Sequence, residues 1–491
     1  MTIEPYDKPT TGLWKRFLLG SVLIVVAMAT ATASAVLLEV GHVGSFFKNS
    51  TLSSPAASQI TAAQAGAPQT FLIIGSDKRA LATNLQDRTS PPHSDTLMLV
   101  RMDPSQGLTS VMSIPRDLKA TIRPDHGLPT TQKINAAYSI GGAALAVQTI
   151  KHTLPGITIN HIVDINFKGF RRVIDAIGCV YVYVDRRYFH SNAGLSASLQ
   201  YAEINIQPGY QKLCGQPALD YARYRHGDSD FVRVARQQDF VRQVKQQVGV
   251  QHLLSNQDKL FSALQHAVQT DIHGSKEVLD LAQLAAFSLG RPVRQVYFRA
   301  TSGPSYVTAT ASDIAASVND FLGSGSQKVV VVPRFAARRR NRSAPPTAGL
   351  NATPASDIGL ATGASVGLPF KMYVPRGRIG GTGAPDAVRS YSLRDNAGKL
   401  HRAYVVSITR GIAGDYYGIE GTSWMDPPIL ANPSETRTVG GRTYQLYVDG
   451  GHIRVVAWKS GSAVYWVNNT LLASLSNRQM LAIAESSTPV N

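Results

Sequence analysis

The segment TLMLVRMDPSQGLTSVMSIPRD, residues 96–117, contains two apolar runs separated by turn residues. The first run, TLMLVRM (96–102), ends at Asp-Pro, and the second, LTSVMSI (108–114), ends at Pro-Arg. Short apolar runs bounded in this way predict buried strands. The upstream run FLIIG (71–75), which closes on glycine, predicts a third. These three predicted strands begin the α/β pattern of the chain.

Towards the C terminus, the predicted strands alternate with predicted helices. The run INAAYSIGGAALAVQTIKHTL (134–154) predicts a helix that ends at Pro155-Gly156. A strand near 159–165, a short helix near 168–177 and the strand CVYVYVD (179–185) follow. Further helices are expected from 231 to about 290 and at 312–322. This order predicts an α/β fold with a central mixed, largely parallel sheet that helices cover on both faces.

The length of 491 residues exceeds what one hydrophobic core usually holds, so two folded units are expected. We place the first at 69–325. The stretch 334–366 is Arg-rich and then rich in Pro, Ala, Thr, Gly and Ser without a period, which predicts a flexible linker. Alternating runs after it predict an antiparallel sheet, and a last helix is expected at 476–485. We therefore expect a small α+β accessory domain at 367–487.

An uncharged apolar run at 17–38 is long enough to cross a bilayer as a helix. Lys15 and Arg16 precede it, so the positive-inside rule predicts a cytoplasmic tail at 1–16 and an extracellular remainder that begins with a spacer at 39–68. The expectation is a single-pass cell-membrane protein whose N terminus is cytoplasmic. The alternative is a signal peptide cleaved at Ala33-Ser34-Ala35. Both interpretations export the folded units.

The formal net charge is +17 at pH 7, which indicates an anionic partner. Nucleic acid, phosphate-bearing lipid and an anionic polymer all fit that charge, but export argues against nucleic acid. The 44% share of hydrophobic residues excludes wholesale disorder.

Cys179 and Cys214 are the two cysteines of the chain. In an oxidising compartment, two thiols in one domain are expected to form a disulfide. Buried free thiols are an alternative. A metal site is a further one, but no Cys-x-x-Cys or His-x-x-x-His spacing accompanies them.

The segment YARYRHGDSDFVRVARQQ (221–238) concentrates four arginines. If a helix begins near Phe231, Arg233, Arg236 and Gln237 share one face, which Phe240 continues. The simpler interpretation is a solvated basic helix face. Arginines that begin an apolar stripe instead point towards the protein body, where an unpaired charge is costly unless it meets an anion.

Arg223 and Arg225 lie two residues apart and would project from one side of an extended segment. Several guanidinium groups that converge on a cavity suit a phosphate or pyrophosphate, which each binds through two hydrogen bonds.

Further charged residues stand at the ends of the predicted strands. Asp77 and Arg79 follow the first strand, Asp95 precedes the second, and Arg116 and Asp117 follow the third. Ligands of α/β sheets bind at strand ends, so these residues are expected to share one crevice. Carboxylates beside a pyrophosphate offer the hard oxygen ligands that Mg²⁺ prefers. For any single aspartate, a turn or helix cap is the simpler role.

The order of these motifs resembles that of the LytR-CpsA-Psr family of bacterial cell-wall enzymes. The motifs are FLIIGSDKR (71–79), HSDTLMLVRMDP (93–104), LTSVMSIPRDL (108–118), INAAYS (134–139), FKGFRRVIDAIGCVYVYVD (167–185) and GQPALDYARYRHGDSDFVRVARQQDFV (215–241). The resemblance covers about 71–250 and continues more weakly to about 322. This chain has His93 where many members carry arginine.

The resemblance implies a phosphotransferase that moves a glycopolymer from a polyprenyl-pyrophosphate carrier to peptidoglycan. It implies an Mg²⁺ (or Mn²⁺) cofactor linked to Asp95, with Asp77 as the second acid at the metal. Asp95, Arg116 and Asp117 are the catalytic candidates. The implied pyrophosphate contacts are Arg79, Arg116, Arg223, Arg225, Arg233 and Gln237, with Arg236 as neighbouring support.

The resemblance further implies an apolar tunnel for the lipid, lined by the sheet and by helices such as that at 134–154. The cysteine pair resembles a disulfide found in some members. Two other functions stay open. One is a non-catalytic protein that binds polyprenyl pyrophosphate or an anionic glycan. The other is a membrane-bound transcriptional regulator.

Overall fold

The structure is a computed structural model that describes residues 56, 58–62, 64, 66–76, 94–196, 202–224, 230–247, 268–272, 284, 293–323, 349–379, 385–410, 415–449 and 451–490. The predicted membrane helix at 17–38, the tail before it and the first part of the linker lie outside the described residues. Among the helices that are described, none combines the length and the hydropathy needed to cross a bilayer.

The first unit contains fourteen described strands. They are β1 (Gln69–Ser76), β2 (Ser94–Asp103), β3 (Leu108–Ile114), β4 (Lys119–Ile122), β5 (Thr130–Lys133), β6 (His161–Asn166), β7 (Val180–Val184), β8 (Tyr188–His190), β9 (Ile204–Ile206), β10 (Gly209–Leu213), β11 (Val268–Thr270), β12 (Val293–Val296), β13 (Thr301–Ser302) and β14 (Val307–Thr308). Its described helices are α1 (Ala136–Thr153), α2 (Phe167–Ala176), α3 (Gly215–Arg223), α4 (Asp230–Gln247) and α5 (Ala311–Leu322).

The central sheet has six strands in the order β11-β6-β1-β2-β3-β12. The prediction of a mixed sheet is confirmed, but the prediction that it is largely parallel was wrong. β1 pairs with β6 and β3 with β12 in parallel, whereas β1–β2, β2–β3 and β6–β11 are antiparallel. Only the short turn at 104–107 joins β2 to β3, and so short a connection permits only an antiparallel pair.

The edge strand β11 lies in a region that we expected to be helical. Asp271, directly after it, accepts hydrogen bonds from the backbone N–H of Ile162 at 2.7 Å and contacts His161 Nδ1 at 2.8 Å. These long-range contacts hold the chain beside β6, so tertiary pairing prevails over local helical propensity there.

Strand alternation directs apolar side chains to two different faces of the sheet. On one face, Leu72, Ile74 and Leu99 pack with Val147 and Ile150 of α1 and with Phe321 of α5 in the main core. On the other face, Ile73, Met98 and Val111 pack near Val241 of α4. Helices therefore cover both faces, as predicted.

The end of the predicted spacer belongs to the folded unit. Ala56 is fully buried in the main core, and the backbone N–H of Thr61 donates to the carbonyl of Ile159 at 2.9 Å. Lys151 Nζ donates to the carbonyl of Gln59. The spacer prediction for 39–68 was therefore too long, because residues from 56 onward bury apolar and backbone groups against α1 and β6.

The predicted disulfide joins Cys179 and Cys214 in the structure. It connects the start of β7 to the residue before α3, beside the two-stranded β7–β10 hairpin. Val180, Val182 and Leu213 of this hairpin share a core with Tyr221 of α3 and Phe240 of α4.

The C-terminal unit is built mostly from strands. Its elements are β15 (Asn351–Ala352), α6 (Ala355–Ser365), β16 (Met372–Pro375), β17 (Gly377–Arg378), β18 (Ala387–Arg394), β19 (Leu400–Thr409), β20 (Tyr416–Thr422), β21 (Glu435–Val439), β22 (Arg442–Asp449), β23 (His452–Ser460), β24 (Ala463–Asn468), α7 (Asn477–Ser486) and β25 (Ser487–Val490). Seven strands form one antiparallel sheet in the order β18-β19-β20-β24-β23-β22-β21. The predicted antiparallel sheet and last helix are confirmed.

The linker prediction was wrong for its second half. Residues 351–352 form a strand, and α6 occupies 355–365. Asp357 of α6 is buried and pairs with Arg378 at 2.5 Å, and Ala361 is buried in the core of the C-terminal unit. The low sequence complexity concealed a helix that is stabilised by tertiary burial and not by an amphipathic pattern.

The two units share a continuous interface. Tyr181, Tyr183 and Tyr210 of the β7–β10 hairpin pack with Val405 and Trp466 of the C-terminal sheet. The backbone N–H of Tyr210 donates to Glu420 Oε2 at 2.9 Å. The C-terminal unit is therefore docked on the first unit through buried aromatic and polar contacts.

Candidate functional site

The candidate site lies where several strands of the central sheet begin or end. In the register of the sheet, Gly75 is opposite Thr96 of β2 and Ile165 of β6. Ile114 ends β3 opposite Leu97 of β2, so Arg116 emerges near the start of β2. The sheet thus brings two of the charged strand-end residues, Asp95 and Arg116, to one edge.

A cavity of about 440 Å³ opens at this edge between the sheet and α2, α3 and α4. Its wall combines charged, polar and apolar side chains. The lining residues are Ile73, Gly75, Asp95, Thr96, Met98, Arg116, Asn135, Ile165, Asn166, Phe167, Phe170, Leu219, Ala222, Arg223, Arg233, Gln237, Phe240 and Val241. Five predicted site residues are therefore brought together: Asp95, Arg116, Arg223, Arg233 and Gln237.

Asp95 and Arg116 form an ion pair in the cavity wall. Arg116 Nη1 donates to Asp95 Oδ1 at 2.8 Å, and the Asp95 side chain is 31% exposed. This pair holds a carboxylate and a guanidinium next to each other, so the wall presents both a proton or cation acceptor and an anion-binding group.

Asp117 does not line the cavity, contrary to its predicted place among the catalytic candidates. Its Oδ1 pairs with Lys133 Nζ of β5 at 3.0 Å and lies 3.9 Å from Arg116 Nε. The Asp117 carboxylate therefore contacts both Lys133 and Arg116 and lies outside the cavity wall. Asp117 is thus placed to support Arg116.

Arg223 ends α3 and reaches the cavity from there. Its Nε lies 3.2 Å from Asp220 Oδ1, one turn earlier, and its guanidinium lies 5.2 Å from the ring centre of Phe167. Burial raises the pKa of Asp220, and the positive charge of Arg223 opposes that rise. The carboxylate and the ring together fix the direction of the guanidinium.

Arg233 and Gln237 lie one turn apart on α4 and face the cavity, as their spacing predicted. Arg233 is 4% exposed. Gln237 Nε2 donates to Thr96 Oγ1 at 3.0 Å and to the carbonyl of Ala222 at 3.1 Å. Gln237 therefore ties α4 to both β2 and α3, which gives it a structural role at the cavity wall.

Arg236 does not line the cavity. It is fully buried, and its Nη1 donates at 3.0 Å to the carbonyls of Tyr221 and Tyr224 at the end of α3. Its guanidinium also lies 4.6 Å from the ring centre of Tyr188. Arg236 thus caps the C-terminal end of α3. It supports the segment that carries Arg223 and is not a candidate ligand contact.

Asp77, Arg79 and Arg225 lie outside the described residues, as does His93. In sequence, Asp77 directly follows β1, and Arg225 follows the end of α3 by two positions. Their roles stay predictions.

Apart from Phe240, the apolar part of the wall was not predicted residue by residue. Phe167 and Phe170 of α2, Leu219 of α3 and Phe240 of α4 contribute to it. Of the helix predicted to line a lipid tunnel, only the N-cap residue Asn135 reaches the cavity, because α1 covers the opposite face of the sheet. The three-residue spacing of Phe167 and Phe170 was the available signal.

The cavity also meets the N-terminal end of α2. Asn166 Oδ1 accepts a hydrogen bond from the backbone N–H of Gly169 at 2.8 Å and caps the helix. The N-terminal end of a helix carries partial positive charge, which adds to the favourable potential for an anion here.

The wall is compatible with a bound Mg²⁺. Among the described residues, Asp95 is the carboxylate of the wall, and Asn135 and Asn166 are its amide residues, although the Asn166 oxygen already caps α2. Such oxygen ligands suit magnesium that is held mainly by substrate phosphates and water. Among the described residues, the one cluster of three potential ligand side chains is Asp175, Cys179 and Cys214, and its cysteines are in the disulfide.

The fold and the site define a mixed-sheet α/β protein with an arginine-bearing, partly apolar cavity at the strand ends. The model of the LytR_cpsA_psr family matches residues 41–311, which is more than half of the chain. The chain belongs to the LytR_cpsA_psr family.

Two curated relatives illustrate the similarity. A polyisoprenyl-teichoic acid–peptidoglycan teichoic acid transferase TagU from Halalkalibacterium halodurans is 33% identical over 207 residues, 42% of this chain and 61% of the relative. Biofilm regulatory protein A from Streptococcus mutans is 29% identical over 219 residues, 43% of this chain and 52% of the relative. The chain thus spans between half and two thirds of the length of these relatives.

Two solved structures are also similar. The protein gbs0355 from Streptococcus agalactiae has a TM-score of 0.45 at 24% identity, over 52% of this chain and 87% of that one. TagV from B. subtilis has a TM-score of 0.42 at 26% identity, over 53% of this chain and 98% of that one.

Proposed function

We propose that this protein is a phosphotransferase that moves a glycopolymer phosphate from a polyprenyl-pyrophosphate carrier to a hydroxyl of peptidoglycan. The observation that carries the proposal is the cavity itself, where Arg116, Arg223 and Arg233 share one wall with aromatic and aliphatic side chains. The arginines suit the pyrophosphate group of such a carrier, and the aromatic and aliphatic side chains suit its lipid tail. The TagU relative, whose name is polyisoprenyl-teichoic acid–peptidoglycan teichoic acid transferase, supports the same reaction class.

In the proposed reaction, an acceptor hydroxyl oxygen bonds to the glycan-proximal phosphorus. The bond from this phosphorus to the bridging oxygen breaks, and polyprenyl phosphate leaves with that oxygen. We assign Arg116, Arg223 and Arg233 to the phosphate oxygens, on which negative charge grows in the transition state. Fixed positive groups are the main source of catalysis in such transfers.

Asp95 is the carboxylate that we assign to the hydroxyl. Its Oδ1 accepts a hydrogen bond from Arg116, so its orientation is fixed, and Oδ2 is the oxygen that we assign to the hydroxyl proton or to a cation. Mg²⁺, when bound, would neutralise charge on the pyrophosphate. Asp95 would be one of its ligands, and we propose Asp77 as a second. The pairing with Arg116 keeps the carboxylate in the wall before substrate binds.

We also propose that residues 17–38 anchor the protein in the cell membrane, with the N terminus cytoplasmic and both folded units outside. The uncharged run and the preceding Lys15 and Arg16 support this topology. The disulfide between Cys179 and Cys214 fits an oxidising compartment. A reporter active only in the cytoplasm, fused to the C terminus, should stay inactive, and an active fusion would contradict the topology.

The decisive experiment uses the full chain in lipid nanodiscs with a polyprenyl-pyrophosphate-linked glycan and peptidoglycan. The expected products are a phosphodiester-linked glycan on peptidoglycan and free polyprenyl phosphate. Binding of the donor without either product would instead favour a non-catalytic carrier. Absence of both binding and transfer with lipid-linked teichoic acid and capsular donors would refute the proposal.

A further inference from the structure

Helix α4 has two functional faces. Arg233, Gln237, Phe240 and Val241 line the cavity. At 3.6 residues per turn, Ala235 lies on the far side of the helix from those residues and Val232 lies on its flank. Both pack with Leu471, which is buried, and with Leu472, which is partly buried, in the C-terminal unit. The C-terminal unit therefore contacts the back of the helix segment that carries the site.

Residues 470–472 form a loop after β24 that buried polar contacts hold in place. Arg454 Nη1 donates to the carbonyl of Thr470 at 3.2 Å and to that of Leu471 at 3.1 Å. Tyr297 of the first unit donates its hydroxyl to the carbonyl of Leu471 at 3.2 Å, and Arg454 Nη2 donates to Tyr297 Oη at the same distance. The loop is thus fixed to both units at the position of Leu471.

Paired charges extend the same contact along α4. Arg242 pairs with Asp239 within the helix at 2.5 Å, and Arg454 Nε lies 3.7 Å from Asp449. Burial raises the pKa of Asp449, while the charges of Arg454 and Arg242 oppose that rise. The charge of Asp239 on the same helix adds to the rise, so Asp449 lies within the electrostatic field of both side chains of the Arg242–Asp239 pair.

The two halves of α4 are held differently. In the second half, Gln247 Nε2 donates to the carbonyl of Tyr181 at 2.7 Å and Gln247 Oε1 accepts from its N–H at 2.8 Å, both within the first unit. In the first half, Arg236 and Gln237 hydrogen bond to α3 and β2 of the first unit, while Val232 and Ala235 pack with Leu471 of the C-terminal unit. Packing on the C-terminal unit therefore adds to the contacts that hold the half of α4 that carries Arg233.

We propose that the C-terminal unit is a positioning element of the transfer site, in which the loop at 470–472 holds the first half of α4 so that Arg233 and Gln237 face the cavity. This inference rests on the proposed function. Leu471 is the key positioning residue, and Arg454 acts through the loop. Because a displacement of about 1 Å at a binding group costs up to about a hundredfold in rate, loss of this packing is expected to lower turnover.

The test compares Leu471→Ala with Leu471→Met and with Ile483→Ala in the full chain in nanodiscs. Leu471→Ala removes the contact with α4, whereas Leu471→Met preserves most of its volume. Ile483 is fully buried in the core of the C-terminal unit that contains α7 and does not include Leu471. Ile483→Ala is therefore the control for general destabilisation of that unit. A milder Leu471→Val variant serves if the alanine variant fails to fold.

Two readouts are measured for each variant: steady-state transfer, and hydrogen exchange of the peptide that spans 230–238. For Leu471→Ala we expect kcat to fall about tenfold with a smaller change in KM, and exchange of this peptide to accelerate. Leu471→Met is expected within about threefold of the wild type in kcat, because volume-conserving swaps perturb packing least. Ile483→Ala is expected to preserve both kcat and the exchange of this peptide at a temperature where it stays folded.

Unchanged kcat and exchange in Leu471→Ala, or equal losses in Ile483→Ala, would overturn the inference. A wild-type protein that neither binds nor transfers a lipid-linked glycan would refute the proposed function instead. In that case the exchange comparison still decides whether the loop at 470–472 positions α4.

Discussion

Substitution of Arg233 tests whether transfer requires the geometry of a guanidinium group in the cavity or only a positive charge there. Arg233→Lys keeps the charge but loses the planar fork that binds two phosphate oxygens. We expect kcat/KM for transfer to fall between about tenfold and a hundredfold, because a hydrogen bond to a charged group contributes about 1.5–3 kcal/mol. The measurement is steady-state transfer with a lipid-linked donor. Arg123→Lys, at an exposed position outside the cavity wall, is the matched control and should change little.

Turnover close to that of the wild type in Arg233→Lys would mean that this side chain contributes only a diffuse field. A loss of similar size in the Arg123 control would point to a general effect of replacing arginine on a strongly basic protein.

Substitution of Asp95 tests whether transfer requires its carboxylate and a bound cation. Asp95→Asn nearly preserves the shape and can still accept a hydrogen bond from Arg116, but it removes the negative charge. We expect transfer to be lost and the response to added Mg²⁺ to disappear, whereas donor binding persists through the arginines. Transfer is measured against Mg²⁺ concentration, with and without excess chelator, alongside a thermal melt. The melting temperature should change little, because the Asp95–Arg116 pair is partly exposed.

Full wild-type activity in excess chelator would remove the cation from the mechanism. Full activity of Asp95→Asn would remove the carboxylate from it.

Among the elements, α3 depends on the disulfide for its anchor. The Cys179–Cys214 bond spans a sequence separation of 35 residues and joins the start of β7 to the residue before α3. In the chain-entropy model, a loop of this length stabilises by about 4 kcal/mol. The Cys179→Ala/Cys214→Ala variant is therefore expected to lose about that free energy of unfolding, measured by urea denaturation.

Reduction of the wild type gives the internal control, since the reduced protein should unfold at about the same urea concentration as the double variant. Because α3 carries Arg223, we also expect a lower donor affinity after reduction. Identical denaturation curves for oxidised and reduced wild type would contradict the prediction.

For the whole molecule, the interface between the units contains a buried carboxyl group. Burial raises the pKa of Glu420 to about 8, although hydrogen bonds from Tyr391 Oη at 2.8 Å and from the Tyr210 N–H at 2.9 Å favour its ionised form. Between the ordinary pKa of glutamate, near 4.5, and about 8, the folded state thus binds more protons at this group than the unfolded state does. Its contribution to stability therefore falls as pH rises through this window, by at most about 1.4 kcal/mol per pH unit.

Glu420→Gln keeps an acceptor oxygen for Tyr210 and Tyr391 but cannot ionise. We expect the variant to gain stability relative to the wild type as pH rises from 5 to 8, measured by urea denaturation at several pH values. Glu435→Gln on β21, where the side chain is 37% exposed, is the control and should show no such trend. A difference between Glu420→Gln and wild type that is constant with pH would contradict the prediction.

The described elements of the sheet were largely predictable because their signals are local. The runs at 71–75, 96–102 and 108–114 became β1, β2 and β3, and the helix expected at 134–154 became α1. Prediction was less successful for elements that form only by pairing with strands far away in the sequence. The region from 231 to about 290 was expected to be helical, yet Val268–Thr270 joins the sheet because it pairs with β6. Local composition does not contain that information.

The sequence by itself determined the strands at 71–75, 96–102 and 108–114, the helix at 134–154, the cysteine pair and the arginine motif that the family shares. It did so because periodicity, turn residues and motif spacing are properties of neighbouring residues. Only the tertiary structure decided that Arg233 lines the cavity while Arg236, three residues later, caps α3, and that Asp117 turns to Lys133. It also decided that α6 packs into the core of the C-terminal unit and that the C-terminal sheet docks on the first unit. The physical reason is distance along the chain: contacts such as Tyr210 with Glu420 or Gln237 with Thr96 join residues 210 and 141 positions apart. Such contacts decide which charge is buried and paired and which one faces the cavity.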